Sequence, residues 1–369
     1  MLTSVLEKPE SAASYRRSTF SGESTNLDLI RAVAVLCVFF GHLATYRHEG
    51  LNETAWHFAQ MGVLIFFVHT SFVLMLSLER SVEKNGSNYL FRDFYTRRFF
   101  RIYPLAVFCV LVAYFTHGAT ANGEPRYWTP YQLISNLTLT TNLTYSDIMV
   151  GGLWTLPLEV QMYIVLPIVF LVVRGRAIWY AIVIWGASVP FALLQPHISE
   201  RLNVLAYAPC FLGGILAWRL SRSVKRRVNG WFWPLAFVAT WTFFLIADRE
   251  HDMIYRYIFS LSLGLAIPHF AELKAGWFGR LVHLVAKYSY GIYLSHLGIM
   301  MFMGKVNEPY RWPLLVLLAV ICPVAMYHFI EAPFISLGQR IARRYRGRES
   351  NKVLVQPTPV SIENPEPGI

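Results

Sequence analysis

The chain has 369 residues, 55% of them hydrophobic and only 15% charged, with a mean hydropathy of +0.39. A soluble domain carries about 25% charged residues, so the composition excludes an ordinary water-soluble enzyme and predicts an all-α polytopic membrane protein. The net charge of +11 falls in loops between apolar stretches, where anionic lipid and the positive-inside bias explain it, and nucleic acid is excluded as a partner.

In chain order, residues 1–25 are rich in Ser, Glu and Arg and read as a disordered cytosolic arm without a cleavable signal peptide. The first apolar span, about 27–45, carries Arg31 and His42. Their separation is about 16 Å along a helix, against a hydrocarbon core of about 30 Å. With Arg31 at one interface, His42 lies near mid-membrane. A titratable group at that depth is costly and marks a functional site by default. Taken alone, a neutral histidine bonded to a neighbouring helix explains it equally well. A second span covers about 62–79. A third, about 99–116, follows the basic run Arg97, Arg98 and Arg101. The polar connection 117–150 is too long for a simple turn and is expected to fold back on the membrane surface. Further spans at about 153–173, 177–194, 203–218, 231–247, 253–271, 284–304 and 312–331 bring the total to ten transmembrane helices. The expected membrane domain is 26–340. Residues 341–369, basic and then Pro-rich, read as a disordered cytosolic tail. Cys37, Cys109, Cys210 and Cys322 lie in apolar segments at spacings that form neither a disulfide framework nor a metal site.

Lysine and arginine concentrate in alternate loops, which places both termini in the cytosol and the protein in the cell membrane. With that orientation, Glu159 lies about 9 Å below the outer face and His296 about 13 Å above the inner one. Two histidines and a carboxylate thus share middle depths on three helices, and they are expected to face one another or a wet cavity. A His–Glu arrangement suits general-base work, the carboxylate orienting the ring and the imidazole taking a proton from a hydroxyl. The competing reading is that Glu159 and one histidine only join helices. Arg98 and Arg101, three apart, share a helix face suited to phosphate oxygens, although charge alone favours plain anchoring at the membrane surface.

Together these residues resemble the membrane acyltransferase 3 family, which includes bacterial sugar and polysaccharide O-acetyltransferases. Arg31 to His42 is similar to that family's arginine–ten residues–histidine signature. Arg98-Phe99-Phe100-Arg101-Ile102-Tyr103-Pro104 resembles its RxxR-aromatic-Pro element, and Leu153-Trp154-Thr155-Leu156-Pro157-Leu158-Glu159, continuing to Tyr163, resembles its Trp-Ser/Thr-Leu…Glu helix. Tyr288-Ser289-Tyr290-Gly291-Ile292-Tyr293-Leu294-Ser295-His296 and Ile330-Glu331-Ala332-Pro333 resemble its last two motifs. In the second span the family's aspartate is Leu64, its serine is Thr70 and its glycine is Ser71, which puts close helix approach there in doubt; His69, an extra polar group, reads as packing.

The resemblance implies acyl transfer, most often acetyl, from cytosolic acetyl-CoA as donor co-substrate to a hydroxyl of a carbohydrate or related acceptor. It implies no permanently bound cofactor and no metal. It puts the donor phosphates on Arg98 and Arg101, helped by Arg31 or Arg97. His42 is expected to be the general base, with Glu159 and His296 completing the catalytic set and Trp154, Tyr163 and Tyr293 contacting substrate. The family's fused SGNH esterase-like domain has no room in this chain, so transfer is expected to finish in the membrane domain. Ten helices with buried His and Glu also suit a proton-coupled transporter or lipid-linked sugar flippase, but no internal repeat or paired broken helices mark one.

Overall fold

The computed structural model describes residues 24–47, 52–87, 89–117, 126–247, 253–274 and 276–354. The arm through residue 23 and the tail from 355 lie outside the described residues. Among the described residues the protein is helical, and the single extended pairing is the bridge between Val228 and Phe270.

Each predicted span coincides with a helix. These are α1 (Thr25–Arg47), α2 (Asn52–Asn85), α3 (Leu90–Phe115), α6 (Leu156–Val173), α7 (Ile178–Ile198), α8 (Val204–Leu220), α9 (Trp233–Ala247), α10 (Met253–Ala266), α11 (Trp277–Met303) and α12 (Arg311–Met326). Two short helices, α4 (Pro130–Leu137) and α5 (Thr141–Thr144), lie in the connection before α6. A π-turn at Tyr327–Glu331 joins α12 to α13 (Ala332–Leu354). The helical path therefore runs well past 341, where a disordered tail is expected, because the basic residues there continue a helix instead of ending it.

Six helical stretches are long and apolar enough to cross a membrane: Thr25–Tyr46, Glu53–Lys84, Leu90–Phe115, Gly151–Val173, Ile178–Ile198 and Arg311–Tyr345. The sequence predicts ten crossings, and the difference has two causes. The 17, 15 and 14 residues of α8, α9 and α10 rise only about 21–26 Å, short of the hydrocarbon core. The 27 residues of α11 are long enough, but they carry Arg280, His283, Lys287, Ser289 and His296. On α7 and α12 the outer faces expose Ile182, Val183, Phe191, Val316, Leu317 and Val320. A helix bathed in water carries polar residues on such a face, so these two meet lipid.

The core is built around α2, which packs against α1, α6, α8, α9 and α10, while α11 lies between α1 and α12. Small residues set the closest approaches, as in other membrane bundles. A Cβ on Gly62 would sit 2.5 Å from the Ala34 carbonyl of α1. Where the family glycine is Ser71, close approach survives because the partner helix supplies the glycine. A Cβ on Gly214 of α8 would collide with Ser71 Oγ and the Val68 carbonyl, and Ser71 Oγ donates to the Phe67 carbonyl at 2.9 Å.

At the other end of α2, buried Glu79 accepts from Trp218 Nε1 at 2.8 Å and is ion-paired with Arg222, whose guanidinium lies 4.3 Å from the Trp218 ring centroid. Removing one member strands the other in the interior. Glu79→Ala is therefore expected to cost about 3–5 kcal/mol of stability, read as a lowered thermal midpoint in detergent. An unchanged midpoint would show that water reaches Arg222.

Helix α4 is inverted relative to a soluble amphipathic helix. A capping box of Thr129 and Gln132 starts it, Ser135 and Asn136 are buried, and Tyr131 and Ile134 point outward. Asn136 Nδ2 donates to the Gln132 and Asp147 carbonyls, and its Oδ1 accepts from the Met149 amide. With its polar side tied down and its apolar side out, α4 suits the surface-lying path expected of the 117–150 connection.

Candidate active site

His42 stands eleven positions after Arg31, and at 3.6 residues per turn that is about three whole turns. Both side chains therefore leave the same face of α1, about 16 Å apart along it. On α3 the same arithmetic sets Arg98 and Arg101 on one face and turns Arg97 roughly 100° away from Arg98. A Pro157-led start to α6, preceded by a tight 3₁₀ turn over Gly151–Thr155, directs Thr155 inward.

These helices and α11 enclose a cavity of about 90 Å³, the room of roughly three waters. Arg31, Arg98, Arg101, Glu159 and Tyr163 line it, with Thr155, Ser289 and Tyr293. Arg31 Nε donates to Ser289 Oγ at 2.6 Å, and Ser289 Oγ in turn donates to the Ala286 carbonyl at 2.8 Å. Tyr163 OH donates to Glu159 Oε2 at 2.9 Å, one helical turn back on α6. Arg98 Nε is buried and has no hydrogen-bond partner. Tyr290 OH donates to the Ile102 carbonyl at 2.9 Å and ties α11 to α3 along the wall.

Three guanidinium groups, all half-buried, thus meet the half-buried Glu159 carboxylate in one half-open cavity. Glu331, at the end of the π-turn and 2% exposed, lies within electrostatic reach of Arg101 and Arg31. Such turns are rare and concentrate at functional sites. The excess positive charge and the unpartnered Arg98 Nε suit the cavity to an anion, since a half-buried cation gains from a counter-charge.

The histidines form a second group beside it. The His42 and His296 rings lie 5.2 Å apart between centroids, tilted by 33°. His296 is 1% exposed, and its Nδ1 lies 2.7 Å from the Tyr293 carbonyl. A carbonyl only accepts, so Nδ1 carries the proton and Nε2 of the neutral ring is a bare acceptor. That Nε2 is buried without a partner. Tyr293 connects the two groups. Its OH is hydrogen-bonded to Thr155 Oγ1 at 2.9 Å in the cavity wall, and its ring lies 5.9 Å from that of His296.

The predicted residues accordingly divide. Arg31, Arg98, Arg101, Glu159, Tyr163 and Tyr293 come together at the cavity, and His42 and His296 come together beside it. Among the described residues no contact joins Glu159 to either histidine; equal depth fixed the height of these groups but not their direction around each helix. Arg31 stands six residues into α1, about 9 Å from its start, inside the cavity. Arg97 turns away and pairs with Asp93 Oδ2 at 3.2 Å. Trp154 points to α8, its ring 5.8 Å from that of Tyr207, and does not line the cavity. His69, read from the sequence as packing, and Thr70 of α2 also line it. Ser289 and Thr155 were present in the motifs, but only their bonds to Arg31 and Tyr293 reveal a part in the site.

The sequence profile of a family described as an acyltransferase domain matches residues 24–328. The chain is 26% identical over 364 residues to YrhL of Bacillus subtilis (strain 168), which bears the provisional name peptidoglycan O-acetyltransferase; the match covers 85% of this chain and 55% of YrhL. It is 25% identical to Nodulation protein 10 of Rhizobium leguminosarum bv. viciae, over 88% of this chain and 96% of that one. A protein provisionally named O-acetyltransferase SACOL0978, from Staphylococcus aureus (strain COL), is 24% identical over 84% of this chain and 56% of its own length. The chain thus spans about half the length of two of these three curated relatives. No solved structure matches it.

Proposed function

The chain belongs to the acyltransferase 3 family, and from that premise we propose that it moves an acetyl group from acetyl-CoA on the cytosolic side to a hydroxyl of a carbohydrate acceptor. The observation that carries this reading is the cavity in which three arginines line up with one glutamate, one tyrosine away from a histidine pair. An acyl transfer from a coenzyme thioester needs both parts: cations for the donor phosphates and a base for the acceptor hydroxyl.

Arg31, Arg98 and Arg101 hold a phosphate of the donor, which arginine grips bidentately. A cavity of about 90 Å³ takes an anionic group, and the rest of the coenzyme extends from it. The thioester reaches past Tyr293 toward the histidines. His42 takes the proton from the acceptor hydroxyl as its oxygen attacks the thioester carbon. The new C–O bond forms, the C–S bond breaks, and the imidazolium returns its proton to the departing thiolate. The hydroxyls of Tyr293 and Thr155 are placed to stabilise charge developing on the carbonyl oxygen. His296 steadies the His42 ring by packing against it, the two ring centroids 5.2 Å apart. Glu159, held by the hydroxyl of Tyr163, balances part of the guanidinium charge when no donor is bound.

On this reading the ten apolar spans all cross the cell membrane, both termini lie in the cytosol, and the acceptor is a sugar, surface polysaccharide or related hydroxyl compound. The test is release of free CoA thiol by the purified protein in vesicles, supplied with acetyl-CoA and a pool of host glycans. Acceptor-dependent release, with an acetyl mass added to one pool component, is the expected result. Movement of a sugar across the vesicle without any thiol release would replace this reading with transport.

A further inference from the structure

Helix α11 repeats the spacing of polar groups along α1. Ser289, Tyr293 and His296 follow at steps of four and three and so share one face of α11. Ser289 Oγ accepts from Arg31 Nε at 2.6 Å, and the His296 ring lies 5.2 Å from that of His42 between centroids. Two contacts therefore join the same two helices, one at the cavity and one at the histidines. Between them lie about 10 Å of rise on α11 and about 16 Å on α1. The lower contact is fixed in place. Ser289 is fully buried and donates to the Ala286 carbonyl at 2.8 Å, so the hydroxyl that holds Arg31 is itself held.

The bond to Ser289 commits Arg31 Nε and leaves its two outer nitrogens as a fork for phosphate oxygens. The cavity they line has about 90 Å³, whereas a pocket that encloses a drug-sized ligand runs to about 300–1,000 Å³. One phosphate fits in it and a nucleoside does not. Length then separates the phosphates of the donor. The phosphate nearest the thioester carries the pantetheine arm. From its phosphorus to the sulfur run about thirteen bonds, and an extended chain gains about 3.3–3.6 Å per three bonds, so the arm spans about 14–16 Å. That span matches the gap between the arginines and the histidines. The phosphate on the ribose lies beyond the diphosphate and the sugar. Holding that one in the cavity would force purine and ribose into the space between the two contacts.

We propose that the cavity reads the phosphate that carries the pantetheine arm, and that α1 and α11 together act as a ruler for that arm. The recognised donor is then a 4′-phosphopantetheine thioester, and the nucleotide of the coenzyme stays outside the cavity and is dispensable. This inference rests on the transfer reaction proposed above and narrows its donor.

The experiment reads binding and turnover separately, on the full chain in vesicles. Calorimetric titration compares CoA, 4′-phosphopantetheine and pantetheine. The affinity for 4′-phosphopantetheine is expected to lie within about tenfold of that for CoA, and pantetheine is expected to bind at least about tenfold more weakly, the weight of one charge-assisted hydrogen bond. Arg98→Ala with Arg101→Ala is expected to erase the advantage of 4′-phosphopantetheine over pantetheine. Thiol release then compares acetyl-4′-phosphopantetheine with a homologue whose arm has one more methylene. The homologue is expected to bind equally but to turn over at least about tenfold more slowly, since an error of about 1 Å in placement costs up to about 100-fold. If 4′-phosphopantetheine binds the native chain no better than pantetheine while CoA binds tightly, the nucleotide is what the protein reads and the proposal fails. Equal turnover of the homologue would overturn the ruler. Binding as expected, with no thiol release from any thioester, would overturn the transfer reaction and uphold the phosphate site.

Discussion

His42→Ala is expected to reduce acyl transfer by about 10²–10⁴-fold, the range a positioned general base contributes, while CoA binding changes by less than about twofold. The separation of the two effects follows from geometry. The arginines that would grip the donor line the cavity, and His42 does not. Its ring stands against His296, on the same face of α1 as Arg31 but three turns further along. Its side chain is only half-buried, so truncation removes chemistry without opening a large core cavity. Thiol release measures the rate, and calorimetric titration with CoA measures binding. If binding falls in step with the rate, His42 holds the helices in place and the base lies elsewhere. His296→Gln is the companion variant. It keeps a buried polar group but replaces the imidazole, and a rate loss without a binding loss would place both rings in one proton-handling pair.

How much of this was legible in the sequence depends on what kind of information each feature needed. The helices were, because a run of apolar residues long enough to span hydrocarbon is a one-dimensional signal. Arg31 and His42 were legible as a pair for the same reason: their spacing along one helix fixes a shared face. Glu159 shows where that reasoning ends. Rise per residue gives its depth, but only packing decides that it meets Tyr163 and the arginines and not the histidines. Arg97 and Arg98 are neighbours in sequence, yet they point in different directions, one to Asp93 and one to the cavity. Helix α2 extends from Asn52 to Asn85, well beyond the predicted 62–79, because buried polar residues such as His57, Gln60 and Glu79 lower the hydropathy of its ends.

Arg98→Ala combined with Arg101→Ala is expected to raise the KM for acetyl-CoA by at least about tenfold, with a smaller change in kcat. A hydrogen bond to a charged group is worth about 1.5–3 kcal/mol, which is roughly 10- to 150-fold in binding. Arg98 lines the cavity and its buried Nε has no hydrogen-bond partner, so it has most to gain from a phosphate on its outer nitrogens and most to lose when removed. Lysine is not an adequate replacement, because a point charge on a flexible stem loses the planar, two-pronged grip. Arg98→Lys is therefore expected to recover only part of the loss. Arg97→Ala is the internal control: its guanidinium is committed to Asp93, and its removal is expected to leave the donor KM within about twofold of the native value. The three variants separate two roles that charge alone confuses. If all three arginines act only as membrane anchors, as positive-inside residues do, the variants will differ in insertion and yield but not in KM. If Arg98 and Arg101 grip the donor, KM follows the cavity and not the net charge. A KM that rises equally with Arg97→Ala would mean that the donor meets a diffuse basic surface, and the cavity would lose its claim as the phosphate site.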